Sequence, residues 1–198
     1  MTSSPRTPFV CMALAPLIAA ALNCGASAGA GAVSPKQVLA EVAAELNGDG
    51  VADRAVLLHD PDGDDVDLAI YLTAGGKTES QPSLYKAAFG WTGAMAGTEP
   101  EISVNKAGSL VVVFQNDAIG RDRWRQQFTI AFRGGALVVA GYDYQARDTL
   151  RPGGGGSCDV NFLAGRGTRN GKPIKLAAGT TRLSDWTDKS APAACTFE

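Results

Sequence analysis

The clearest pattern in the chain lies at residues 123–133, where Trp124, Gln126, Phe128, Ile130 and Phe132 interleave with Arg123, Arg125, Gln127, Thr129 and Arg133. A two-residue period of this kind predicts a strand with one buried face and one solvated face. Gly134-Gly135 follows, and two glycines supply the positive φ angles that a two-residue hairpin needs. Leu137 to Tyr144 then returns as the partner strand. Alternation also marks Val66, Leu68, Ile70 and Leu72, joined to a preceding strand at Arg54–Leu58 by the Asp60–Asp65 turn. Ile102–Val104 and Leu110–Phe114 flank the Lys106-Ala107-Gly108 turn. The unbroken apolar run Leu110–Phe114 predicts a strand covered on both faces, at the centre of a sheet. Val160–Leu163 and Ile174–Ala177 close the series as short final strands.

One segment reads differently. Ser34-Pro35 has the form of a helix start, and Val38, Val42 and Leu46 recur at four-residue spacing, which predicts one short N-terminal helix. The fold class expected is therefore mainly β, with eight or nine strands. An antiparallel β-sandwich, or a strongly curved sheet with that helix against it, fits the pattern.

The first residues carry a different signal. Arg6 is the sole charge before an apolar run from Phe9 to Leu22, and Ala26-Ser27-Ala28 follows. This is the form of a secretory signal peptide cleaved near Ala28. At 14 residues, with Pro16 inside it, the run is shorter than the ~20 residues of a membrane span. Asn23 before Cys24 fits poorly with lipoprotein cleavage. The organisation expected is a signal peptide at 1–28, a flexible lead-in at 29–34, and one β-rich domain at 35–198, periplasmic or secreted.

Export changes the meaning of the cysteines. Cys11 and Cys24 leave with the signal, and Cys158 and Cys195 remain as a single intramolecular pair. Charge adds a second asymmetry: residues 29–105 carry 4 basic and 12 acidic side chains, and residues 106–198 carry 13 and 8. No domain is strongly basic, which argues against nucleic acid as a partner.

The segment Glu45-Leu46-Asn47-Gly48-Asp49-Gly50-Val51-Ala52-Asp53 carries the candidate chemistry. Oxygen-bearing side chains stand at the first, third, fifth and ninth positions, glycine stands at the sixth, and the Val51 carbonyl is a further donor. Calcium takes six to eight oxygens, and a short loop wraps it when alternate residues point inward. The same residues also suit a plain polar turn. A helix–loop–helix calcium site would need Glu at the twelfth position, which is Val56.

This loop and the strand after it resemble the calcium loop of FG-GAP or VCBS repeats, extracellular β-modules. The likeness covers residues 45–58 and implies Asn47, Asp49 and Asp53 as side-chain ligands, with Glu45 where the family more often has Asp. It implies a structural Ca2+. The stretch Cys158–Gly165, with Gly141-Tyr142-Asp143-Tyr144 upstream, is similar to a block in small exported bacterial proteins and implies no activity. A propeller needs at least four blades of about 40 residues, so one such loop points to an isolated module.

Three further groups stand out. Asp60, Asp62, Asp64, Asp65 and Asp67 read as a solvated turn, with Asp62, Asp64 and Asp65 available to a basic partner. Arg121, Arg123, Arg125 and Arg133 read as the outer face of their strand, with Arg123 and Arg125 as candidate partner-binding residues. His59, the sole histidine, lacks a nucleophile partner and reads as a surface residue. The function expected is a non-enzymatic, calcium-stabilised module that binds an envelope protein or glycan. The alternatives are a periplasmic inhibitor of a basic hydrolase such as lysozyme, and a calcium-dependent hydrolase using His59 or the Asp cluster.

Overall fold

Two antiparallel sheets pack face to face in the computed structural model, which describes residues 36–73 and 80–197. The first sheet has the order β1-β2-β3-β4, with β1 Gln37–Ala44, β2 Asp53–His59, β3 Asp65–Tyr71 and β4 Leu84–Trp91. The second is wider and built from β5 Glu101–Val104, β6 Leu110–Asn116, β7 Asp122–Arg133, β8 Ala136–Asp148, β9 Gly155–Asn161, β10 Arg166–Arg169 and β11 Lys172–Lys175. These seven run as a meander in sequence order, and β12, Thr181–Arg182, pairs with the stretch of β8 that β9 leaves uncovered. The mainly β, sandwich-type architecture expected from the sequence is what the chain forms. The signal peptide and the lead-in lie outside the described residues. Among the described residues no helix is long and apolar enough to cross a membrane.

The core lies between the sheets. Ala55, Leu57, Val66, Leu68, Ile70 and Phe89 enter it from the small sheet, and Leu110, Val112, Phe114, Phe128, Ile130, Val139, Tyr142 and Val160 from the large one. Each fully buried Leu, Ile or Phe stabilises the fold by about 1.5–3 kcal/mol relative to exposure. The β7–β8 hairpin turns through Gly134 and Gly135 at φ 57° and 78°, pairing Arg133 with Ala136, as the glycine pair predicts.

Three expectations are corrected. The segment read as an N-terminal helix is strand β1 from Gln37 onward, paired with β2 and bulged between Val38 and Ala40; Ser34-Pro35 lies outside the described residues. A spacing of four satisfies both periods, and Ala40, Val42 and Ala44 pack on the core as alternate residues of a strand. The run Leu110–Phe114 is β6, second from the edge rather than central; the middle position belongs to β8. Its continuous apolar character matches the burial of Val112, Val113 and Phe114. Twelve strands form among the described residues, because β1, β4, β10 and β12 carry little alternation.

The C-terminal segment completes the core. Leu183 and Trp186, in and just after a short 3-10 turn at Leu183–Asp185, are buried, and the Trp186 ring meets Phe128 at 5.6 Å, Tyr142 at 5.9 Å and Phe162 at 5.9 Å between centroids. Cys158 on β9 and Cys195 in the last 3-10 turn form a disulfide with a Cα–Cα distance of 5.1 Å. Arg169 donates to the carbonyls of Ala194 and Thr196 and sits 4.6 Å from the Phe197 ring centre. The tail is thus held covalently and by a guanidinium. Replacing Cys158 and Cys195 together with Ala is expected to lower stability by about 3 kcal/mol, read as a lower urea midpoint for the variant in non-reducing buffer.

Candidate functional site

The Glu45–Asp53 loop connects β1 to β2 and is curled on its own backbone. Gly48 and Gly50 adopt φ of 89° and 84°, values that side chains rarely allow. Glu45 Oε1 accepts the N–H groups of Asn47 at 3.0 Å and Gly48 at 2.7 Å. Asn47 Oδ1 accepts from Asp49 N at 2.9 Å, and Asp49 Oδ1 from Val51 N at 2.8 Å. The Gly48 N–H foremost, with those of Asn47, Gly50 and Asp49, holds the Glu45 carboxyl below its ordinary value against slight desolvation.

Asp53 is placed differently from the other four residues of the expected ligand set. It is 1 % exposed, and its two oxygens accept the Leu46 N–H at 2.9 Å and the Thr73 N–H at 2.8 Å. This carboxylate clips the start of the loop to the end of β3. The donors on the loop are all oxygen, the chemistry a hard cation requires. Glu45, Asn47, Asp49 and the Val51 carbonyl are the residues that would hold calcium, with Asp53 fixing the base of the loop. Among the described residues no group of three or more His, Cys, Asp or Glu side chains stands within metal-binding reach.

The acidic run divides. Asp60–Asp65 forms the β2–β3 turn, closed by the Gly63 N–H on the Asp60 carbonyl at 3.1 Å and the Asp62 N–H on Asp60 Oδ1 at 3.1 Å. Asp62, Asp64 and Asp65 are exposed there. His59 is not at the surface, as expected, but buried at 8 % exposure, with Nε2 hydrogen-bonded to the Gly63 carbonyl at 2.8 Å. It borders a cleft with Thr92, Met95 and Glu99.

Asp67 leaves the cluster altogether and is buried on the outer face of the small sheet. Its Oδ2 receives both Lys36 Nζ and the Tyr85 hydroxyl, and its Oδ1 accepts the Ala88 N–H at 2.8 Å. Burial pushes this carboxyl up, but the hydrogen bonds from Lys36, Tyr85 and Ala88 outweigh it and hold it below the carboxylate range. The Asp67 hydrogen bond in turn raises Lys36. Sequence reasoning missed Lys36 and Tyr85, which are 31 and 18 residues from Asp67.

The arginines separate as well. Arg121 pairs with Asp148, and Arg133 donates to the Phe132 carbonyl at 2.7 Å. Arg123 and Arg125 do face outward on β7, in a groove of about 310 Å3 lined also by Gln115, Gln145, Arg147 and Ser157. Strand register places Gln115, Arg125, Gln145 and Ser157 directly opposite one another across β6, β7, β8 and β9. Arg123 and Arg147 form the next rung, and Arg147 pairs with Asp117 at the rim. Arg125 donates to Gln127 Oε1 at 3.2 Å from both terminal nitrogens. Arg123 Nη1 is buried without a hydrogen-bond partner among the described residues.

Comparison of the chain with known protein families, curated proteins and solved structures gives no match.

A depressed carboxyl contributes stability that is fully present above its unfolded value, about 3.9 for Asp, and lost as pH falls through the lower folded value. Asp67→Asn is therefore expected to cost about 1–3 kcal/mol at pH 7 and to flatten the fall in stability below pH ~4. Urea midpoints at pH 7 and pH 3 for both proteins measure this.

Proposed function

We propose that this protein is an exported, non-enzymatic binding module, a β-sandwich that carries one structural calcium ion and meets an envelope component through its surface. The observation that carries this reading is the commitment of its reactive side chains to structure. His59 holds the β2–β3 turn, Cys158 and Cys195 are bridged, and Asp67 and Asp53 each serve backbone N–H groups. Arg123 and Arg125, by contrast, line a groove on the outer face of the large sheet. A disulfide is compatible with an oxidising compartment outside the cytoplasm.

Calcium rests on the all-oxygen loop and on its likeness to FG-GAP or VCBS loops. When bound, the ion would draw Glu45, Asn47, Asp49 and the Val51 carbonyl together and tie the β1–β2 connection, a structural role. A second reading, inhibition of a basic hydrolase such as lysozyme, is favoured by the exposure of Asp62, Asp64 and Asp65 at one hairpin tip. Electrostatic steering would bring a cationic enzyme to that tip.

Thermal unfolding separates the calcium reading from a plain turn. Calcium at about ten times its Kd adds about 1.4 kcal/mol, a rise of about 3–6 °C in Tm for a domain of this size. The rise should vanish with chelator and in Asp49→Ala, and an unchanged Tm in millimolar calcium would leave the loop a turn. Reversing Asp62, Asp64 and Asp65 to Lys should abolish lysozyme inhibition if the second reading holds, and inhibition absent from the native protein removes it.

A further inference from the structure

We propose that the groove on the outer face of the large sheet binds an acidic glycan through the carboxylates of its sugar acids, with Arg123 and Arg125 as the anion-binding pair. This rests on the reading of the protein as a binding module and names the ligand class of that module.

Charge on this face is only partly compensated. Arg147 is neutralised by Asp117 at the exposed rim. Arg123 and Arg125 form no direct ion pair among the described residues; Arg125 donates to the neutral Gln127 amide and feels the nearby Asp143 carboxylate. Arg123 Nη1 is buried and has no hydrogen-bond partner among the described residues. Leaving a buried donor unsatisfied is unfavourable, and more so for a charged one. A ligand carboxylate that draws the Arg123 guanidinium out into the groove would satisfy it. A guanidinium offers a planar fork that takes a carboxylate through two parallel hydrogen bonds.

Uncharged polar side chains surround the arginines. Gln115, Gln145 and Ser157 stand in the same row as Arg125. Amides and hydroxyls both donate and accept, as sugar hydroxyls require of their partners. A phosphate dianion wants donors alone and would meet acceptor oxygens on Asp117 at the rim, with the Asp143 carboxylate, which accepts from Gln145 at 3.2 Å, on the next rung. Burial foremost raises the Asp143 carboxyl, with the Asp159 charge adding to it and the Gln145 hydrogen bond and Arg125 charge opposing it. A singly charged carboxylate on a hydroxylated ring fits the mixture better. The row crosses three strand gaps of about 4.8 Å each, an elongated platform for a chain of rings. The groove volume of about 310 Å3 lies within the range of small-ligand sites.

The platform is also rigid. Four adjacent strands with continuous pairing carry it, and the inner faces of β7, β8 and β9 pack on the core through Phe128, Tyr142 and Val160. Little ordering cost attaches to binding on such a surface.

Isothermal calorimetry of the whole protein tests this, with trigalacturonate as probe and neutral galactotriose and inorganic phosphate as comparisons. Trigalacturonate is expected to bind, galactotriose to fail, and affinity to fall as salt rises. Arg123→Gln and Arg125→Gln should each weaken binding at least tenfold. Arg125→Lys should lose less, and Arg133→Gln, at the far end of the same strand, should change nothing. Unchanged thermal unfolding of each variant establishes that the fold is intact. Absence of trigalacturonate binding overturns the proposal, as does equal binding of galactotriose. Phosphate alone binding as tightly reassigns the groove to phosphate esters and overturns the sugar-acid assignment. Binding retained in both Gln variants overturns the groove while leaving the module reading in place.

Discussion

Everything in this molecule depends on Phe89 crossing from the small sheet into the core. Its ring lies 4.7 Å from Phe128 and 5.7 Å from Phe114 between centroids, locking β4 onto β7 and β6 of the large sheet. Regular alternation would not bring it there, because Gly90 beside it also faces inward. A Cβ on Gly90 would stand 2.2 Å from the Phe114 ring, so only glycine lets the strand pass so close. The two neighbours share one face because β4 bulges where it pairs with β3 between Val66 and Leu68. Ala88 sits in that bulge at φ 47°, and the Asp67 carboxylate holds its N–H. A buried charge on the outside of the small sheet thus fixes the geometry that seals the inside.

The same economy explains why the acidic residues do not act as one group. Asp53 and Asp67 lie at opposite ends of adjacent strands, and each satisfies backbone N–H groups that regular pairing leaves over. Satisfying such groups is obligatory in a buried setting, and an ionised carboxylate does it with stronger bonds than a neutral side chain. The aspartates between them form the turn at 60–65, where Asp62, Asp64 and Asp65 are exposed. Local sequence density is therefore a poor guide to shared function in this segment.

What could be read from the sequence follows from how local each signal is. The β7–β8 hairpin was legible because period-two alternation and a Gly-Gly pair act within a few residues of one another. The disulfide was legible because removing the N-terminal cysteines leaves one pairing. β1 was misread because a four-residue spacing fits a helix and a strand alike. β4 was invisible because its bulge breaks the alternation at Ala87-Ala88. The oxygen-rich loop stood out, yet the placement of Asp53 as a clip depended on Thr73, 20 residues away. Arg123 and Arg125 were legible as the outer face of one strand. Their partners Gln115, Gln145 and Ser157 were not, since register between separate strands unites them.

The central claim is that the protein meets its ligand on the outer face of the large sheet, apart from both the loop at 45–53 and the turn at 60–65. Solution NMR during titration with trigalacturonate tests it residue by residue. The account predicts shifts concentrated on the side-chain amides of Gln115, Gln127 and Gln145 and on the Arg123 and Arg125 guanidinium signals, with the loop and the turn unmoved. Shifts centred on Asp62, Asp64 and Asp65, or spread evenly over the surface, would contradict it.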